Sequence, residues 1–125
     1  MLKALTDEGH DLILYTMRDH PADNSVRDPL QEAIDWFSQN DIPLFGVNEN
    51  PTQKSWTTSP KPYAHLYIED AALGIPTMKL EGRPFVDWYA TVFRLKWSHV
   101  LSEEKSKQVL ERLLKEYPEL YDVDL

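Results

Sequence analysis

The chain has 125 residues, no cysteine and a formal net charge of −8, so its length suits one compact domain and its composition excludes disulfides and thiolate metal sites. An acidic surface repels phosphate backbones, so we expect no nucleic-acid partner, although Mg²⁺ and local cations can still admit one small phosphorylated ligand. No apolar run is long enough to span a membrane and none forms a signal core, which predicts a cytoplasmic protein without a membrane partner.

The first part of the sequence predicts strands that alternate with helices. Gly9 is placed to end a short helix, and the apolar run at 12–15 is typical of a strand that is buried on both faces. Asp28 and Pro29 predict the N-cap and first residue of an amphipathic helix. Residues 42–47 then predict a second strand.

A long polar loop, a third strand and two helices are predicted next. The loop at 48–62 contains three prolines, and loops of that length are often functional. Residues 66–68 predict a short strand, and the aromatic-rich segment 84–97 has helical spacing. Ser102 predicts the N-cap of a last helix, whose apolar stripe continues to residue 117.

This order of elements predicts the α/β class, with helices packed on a parallel sheet. We expect a single domain over residues 1–125, with the core motifs in 1–80 and C-terminal helices over 84–117. Ligands of parallel sheets bind beyond the carboxyl ends of the strands. The candidate site residues are therefore those that directly follow a strand.

These strand ends contain the parts of a phosphoryl site. Thr16 supplies a hydroxyl, and Lys61 supplies a positive charge just before the third strand. Glu69 and Asp70 supply hard oxygen ligands of the kind that Mg²⁺ prefers. Each residue also has an ordinary interpretation, as a strand residue, a solvated lysine or an acidic turn.

The order of these motifs resembles that of the small haloacid-dehalogenase-superfamily hydrolases. The matching segments, with a further feature at the end, are residues 12–18, 59–62, 67–70, 73–76 and 83–88. The resemblance implies a Rossmann-like parallel sheet flanked by helices. It also implies a Mg²⁺-dependent phosphatase that acts on a small phosphorylated molecule.

The resemblance assigns roles to four residues. Thr16 would bind the phosphoryl group, and Lys61 would stabilise its charge. Glu69 and Asp70 would hold the Mg²⁺, although the family usually has two aspartates at these positions. Glu69 is therefore a conservative departure that could change the metal geometry.

Two further residues are expected to bind substrate. Arg18 follows Thr16, which matches the second of the family's motifs, and Asn48 follows the second predicted strand. Arg18 is equally well interpreted as a solvated loop end. Trp56, in the loop after Asn48, is expected to influence substrate preference.

The family's first motif is an Asp-x-Asp at the end of the first strand, and nothing before Thr16 matches it. The expected sheet therefore lacks its first strand, and its exposed edges could pair with a second copy of the chain. Either Met1 is an internal methionine of a longer enzyme, which we favour, or the protein is a true short form. As written, the chain is predicted to have little or no phosphatase activity.

A non-catalytic binding domain is the alternative function. Its binding surface would be the aromatic region around Trp88 and Trp97. An Asp-x-Asp encoded upstream in frame would favour the enzyme over this alternative.

Overall fold

The computed structural model describes residues 1–23 and 27–121. Internal contacts divide the chain into two units. Residues 2–65 form what we call the strand-pair unit, and Met1 with residues 66–125 forms the helix-hairpin unit. Among the described residues, no helix combines the length and the apolar character needed to cross a membrane.

The strand-pair unit contains two α-helices, a parallel pair of strands and a 3₁₀ turn. In chain order these are α1 (Leu2–Asp7), β1 (Ile13–Leu14), α2 (Pro29–Gln39), β2 (Gly46–Val47) and the 3₁₀ turn (Gln53–Ser55). In the parallel pair, Ile13 lies opposite Gly46 and Leu14 lies opposite Val47.

The helix-hairpin unit begins with a small antiparallel pair of strands and continues as helices. Its elements are β3 (Thr77–Met78), β4 (Phe85–Val86), α3 (Trp88–Trp97), α4 (Glu103–Glu116) and α5 (Pro118–Tyr121). The two strands are antiparallel, with Thr77 opposite Val86 and Met78 opposite Phe85.

Three helices begin at a side chain that accepts a backbone N–H from the third residue along. The pairs are Asp28 with Gln31 (3.0 Å), Asp87 with Ala90 (3.0 Å) and Ser102 with Lys105 (3.1 Å). Such caps satisfy N–H groups that have no partner inside the helix. The predicted caps at Asp28 and Ser102 are therefore confirmed, and the cap at Asp87 explains why α3 starts at Trp88 rather than at residue 84.

The end of α1 has the hydrogen bonds of a Schellman motif. His10 donates its N–H to the Leu5 carbonyl (3.1 Å), and Gly9 donates to Thr6 (3.0 Å). Gly9 has a φ of 88°, which a residue without Cβ adopts readily. The predicted end of this helix at Gly9 is confirmed.

The predicted Rossmann-like parallel sheet flanked by helices is wrong. Within residues 1–23 and 27–121 there are only two sheets, each of two strands, one parallel and one antiparallel. Residues 66–68, the predicted third strand, belong to neither sheet, and Leu66 and Tyr67 are exposed. The predicted strands at 12–15 and 42–47 shorten to two residues each.

The physical reason lies in what makes a strand. Apolar and β-branched residues favour extended backbone, but a strand exists only where a neighbouring segment satisfies its N–H and C=O groups. Residues 77–78 and 85–86 satisfy this requirement because they pair with each other as antiparallel strands. Residues 66–68 have no such neighbour in either sheet.

Buried apolar side chains stabilise both units. Those of the strand-pair unit are Ala4, Leu5, Leu30 and Ile42, and those of the helix-hairpin unit are Val92, Leu95, Leu101, Val109 and Tyr121. In the helix-hairpin unit α3 packs against α4, and α4 packs against α5. The ring of Tyr89 in α3 stacks on that of Tyr121 with 5.9 Å between centroids.

Candidate functional site

Three of the predicted site residues, Thr16, Arg18 and Asn48, lie together at the carboxyl ends of β1 and β2. The parallel ladder extends beyond the two-residue strands, because Asn48 donates its N–H to the Leu14 carbonyl at 2.7 Å. The side-chain Oδ1 of Asn48 accepts the N–H of Thr16 at 2.8 Å. Thr16 and Asn48 are therefore joined directly, as expected for residues that follow neighbouring parallel strands.

Asn48 needs an unusual backbone conformation to make this bond. Its φ is 55°, in the left-handed region that asparagine tolerates better than most residues. Just before it, an added Cβ on Gly46 would lie 2.2 Å from the Glu49 carbonyl oxygen. The turn after β2 therefore requires glycine at position 46, and this turn directs the Asn48 side chain toward Thr16.

The Thr16 hydroxyl is held by a local turn. Its Oγ1 accepts the backbone N–H of Arg18 at 3.1 Å, which is the hydrogen bond of a Ser/Thr turn. A hydroxyl can accept and donate at the same time. The Thr16 hydroxyl can therefore donate a hydrogen bond to a ligand oxygen without breaking this turn.

Arg18 connects the end of β1 to the start of α2. Its Nη1 donates to the Pro29 carbonyl at 3.1 Å, while a guanidinium has five N–H donors in all. Arg18 is exposed. The contact orients one edge of the guanidinium, and the group can still offer other donors to an anion.

A histidine and an aspartate lie at the start of α2. Nδ1 of His20 is 2.7 Å from Oδ2 of Asp28, whose other oxygen accepts the Gln31 N–H. The Gln31 hydrogen bond, assisted by His20 and opposed by desolvation, lowers the pKa of Asp28 below its ordinary value. The Asp28 carboxylate is thus occupied in capping α2, which makes it a structural group.

Lys61 lies in the loop after β2, and its backbone is held by Gln53. Nε2 of Gln53 donates to the carbonyls of Ser59 (3.1 Å) and Lys61 (3.0 Å), and its Oε1 accepts the N–H of Tyr63 (2.7 Å). The Gln53 residue is only 6% exposed. Sequence reasoning missed Gln53, because the pattern Pro60-Lys61-Pro62 predicts extended backbone without indicating which side chain will bond to it.

The same loop carries an exposed aromatic group. The rings of Trp56 and Tyr63 meet edge to face with 5.4 Å between centroids, and Tyr63 meets His65 in the same way at 5.5 Å. Asn50 donates from Nδ2 to the Tyr63 carbonyl at 2.9 Å. Trp56 is therefore in a loop of defined geometry, and its expected influence on substrate preference stays a prediction.

Glu69 and Asp70 belong to the helix-hairpin unit. Both are exposed, and the Glu69 carbonyl accepts the Ala72 N–H at 3.2 Å in a turn. No cluster of three or more possible metal-ligating side chains occurs within the described ranges. Two adjacent carboxylates still fit Mg²⁺, which binds few protein ligands and completes its shell with water and phosphate oxygens.

The two tryptophans proposed for partner binding lie at opposite ends of α3. Trp88 is the first residue of this helix and is half-buried, whereas Trp97 is the last residue and is 73% exposed. A rise of 1.5 Å per residue separates them by about 14 Å along the axis. The binding role of this aromatic region stays a prediction.

The chain was also compared with known proteins. It matches no protein-family model, no curated protein and no solved structure.

Proposed function

We propose that the strand-pair unit binds the phosphoryl group of a small phosphorylated molecule, as the substrate-binding part of a Mg²⁺-dependent phosphohydrolase of the haloacid-dehalogenase type. The observation that carries the proposal is the hydrogen bond from Thr16 N–H to Asn48 Oδ1 (2.8 Å). It joins the backbone of Thr16 to the side-chain amide of Asn48 and so holds the Thr16 hydroxyl and this amide at the carboxyl ends of two parallel strands.

The side chains at this place are suited to an anion. The Thr16 hydroxyl and the Nδ2 group of Asn48 are neutral donors, and the Arg18 guanidinium adds a positive charge with a fork of donors. Such a local cation is needed because the whole chain carries a formal net charge of −8. In the proposed site, Lys61 supplies a second positive charge to the phosphoryl oxygens.

The proposed Mg²⁺ ligands are Glu69 and Asp70, on the chemistry of their carboxylates. A bound Mg²⁺ would supply positive charge to a phosphorylated ligand. Thr16, Arg18 and Lys61 would bind and orient the phosphoryl group.

Turnover by these 125 residues is a separate question from binding. Aspartyl-phosphate chemistry of this type needs an Asp-x-Asp at a strand end, and no such pair precedes Thr16. The proposal is therefore that the chain binds the phosphorylated ligand and hydrolyses it slowly or not at all.

Binding of inorganic phosphate, followed by calorimetry or by ³¹P NMR, tests the proposed site. Thr16→Val removes the hydroxyl and keeps the β-branched shape, and we expect phosphate affinity to fall about tenfold. Thr6→Val is the matched control, since the Thr6 hydroxyl bonds within α1 to the Lys3 carbonyl at 2.8 Å. Equal affinities for the unchanged chain and Thr16→Val would contradict the proposal, as would an equal loss in the control.

Hydrolysis of p-nitrophenyl phosphate with and without Mg²⁺ tests whether the chain turns over a phosphorylated substrate. The expected result is little or no turnover above the uncatalysed rate. A Mg²⁺-dependent turnover that disappears on Thr16→Ala or Asp70→Asn would show that this chain supplies its own nucleophile.

A further inference from the structure

The segment that carries Lys61 has unusual hydrogen-bonding requirements. Pro60 and Pro62 have no N–H, and each disfavours helical backbone in the residue before it. The segment is not helical and bends at Pro60 and Lys61, and Pro62 is fully buried. The carbonyls of Ser59 and Lys61 need donors from elsewhere in the chain, because the prolines prevent a regular ladder.

One buried side chain meets these requirements. The Gln53 amide offers two donors and an acceptor, which match the Ser59 carbonyl, the Lys61 carbonyl and the Tyr63 N–H in turn. A glutamate or a methionine at this position could not make the same three bonds.

Gln53 is itself fixed at its backbone. Its carbonyl accepts the N–H groups of both Trp56 and Thr57 at 3.0 Å, and these bonds close the 3₁₀ turn. Backbone and side chain of Gln53 therefore hold both ends of the segment 53–63. The Lys61 backbone has one defined place in the strand-pair unit as a result.

We propose that Gln53 is a positioning residue that acts on the phosphoryl ligand through Lys61. This inference rests on the proposed function, since it assigns a purpose to Lys61 at the same site. A lysine has a long side chain with considerable rotamer freedom. Fixing its backbone keeps the ammonium within reach of one place, so less entropy is lost when it meets the phosphate.

The first test is a double-mutant cycle on phosphate affinity. We expect Gln53→Glu to weaken binding of inorganic phosphate about tenfold at pH 8, and Lys61→Met to weaken it by a similar factor. In the double variant, Gln53→Glu is expected to add less than about twofold to the loss from Lys61→Met, because residues that act through one another are not additive. Gln39→Glu, on the exposed last residue of α2, controls for the added negative charge.

The second test uses pH and does not depend on the cycle. In Gln53→Glu, burial and the two facing carbonyls raise the pKa of the introduced carboxyl because they disfavour its charged form, and they outweigh the single Tyr63 N–H that favours it. Protonation then provides an O–H donor for one of the carbonyls. Measured relative to the unchanged chain at each pH, phosphate affinity should recover to within about threefold by pH 5.5.

The outcomes separate this inference from the function on which it rests. If the unchanged chain fails to bind phosphate, the proposed function is overturned and the role of Gln53 with it. If phosphate binds but the two substitutions are additive, only the positioning role is overturned. If Gln53→Glu leaves phosphate affinity unchanged at pH 8, the positioning role is likewise overturned.

Discussion

Buried apolar side chains stabilise both the strand-pair unit and the helix-hairpin unit, but the strand-pair unit also depends on side-chain amides to position its loops. In the strand-pair unit, side-chain amides bond directly to backbone groups, as Asn48 does with Thr16 and Gln53 does with Lys61. In the helix-hairpin unit, Val92 and Leu101 are fully buried apolar residues, and α3 packs against α4. Hydrogen bonds are directional, whereas hydrophobic burial is not.

This difference indicates how the two units tolerate change. A loop that is positioned by a few amide bonds loses its geometry when one donor or acceptor is removed. An apolar core responds instead to lost volume. We therefore expect ligand binding to be sensitive to polar substitutions in the strand-pair unit, and stability to be sensitive to truncations in the helix-hairpin unit.

The largest loss of stability is expected from Leu101→Ala. Leu101 is 2% exposed, and truncating a buried leucine costs about 3 kcal/mol because burial is lost and a cavity remains. Urea denaturation gives the free energy of unfolding. Leu73→Ala, at a fully exposed leucine, should change it by less than about 0.5 kcal/mol. Similar losses in the two variants would show that burial at Leu101 does not stabilise the helix-hairpin unit.

Gly46→Ala should be the most disruptive small substitution in the strand-pair unit. Its Cβ would approach the Glu49 carbonyl oxygen to 2.2 Å, so the turn must move, at about 2 kcal/mol. We expect faster hydrogen exchange at the Thr16 and Asn48 amides.

Gly82→Ala separates the steric effect from the conformational one. Its Cβ would meet no atom within 4 Å, and its φ is 74°. Only the cost of left-handed backbone applies there, about 1 kcal/mol. If Gly46→Ala leaves exchange at Thr16 and Asn48 unchanged, the turn does not determine the geometry of the strand ends.

Ser102→Ala tests a directional bond inside the helix-hairpin unit. The Ser102 hydroxyl caps α4 through the Lys105 N–H, and loss of such a cap costs about 1 kcal/mol. The thermal midpoint, followed by circular dichroism, should fall by a few degrees at most. Ser38→Ala, on the exposed surface of α2, is the control and should not lower it. A fall as large as that of Leu101→Ala would remove the contrast between the two units.

The smallest effect on stability is expected from protonating the Asp28 carboxylate, which caps α2. Its pKa is lowered in the folded chain, so the capping contribution is complete above the unfolded pKa of about 3.9 and is lost as pH falls through the lower, folded value. The Gln31 amide should therefore shift, by NMR, only in acid below about pH 4. Asp28→Asn keeps a capping side chain but does not titrate, so its Gln31 amide should show no such shift. A Gln31 shift that is complete at neutral pH would contradict this account.

Local signals in the sequence predicted the helix boundaries well. Asp28 and Ser102 cap the helices that they were expected to cap, and Gly9 ends α1. Each of these features depends on residues a few positions apart, so propensity and short-range hydrogen bonds determine it. The candidate site was predicted in part for a similar reason, because Thr16 and Asn48 directly follow segments that do pair as parallel strands.

The sequence did not predict which segments pair as strands or which side chain binds the loop that carries Lys61. Residues 66–68 have the composition of a strand but join no sheet in the described part of the chain, whereas 77–78 and 85–86 pair with each other. A strand requires a neighbour, and its own residues do not specify one.

Gln53 shows the same limit at a single side chain. Nothing in its type or spacing predicts that it is buried beside Ser59, Lys61 and Tyr63. The sequence alone determined caps, helix positions and the residues that follow β1 and β2, because these depend on near neighbours. Only the tertiary structure decided which segments pair and which amide orders the Lys61 loop, because those bonds join groups that come together only when the chain folds.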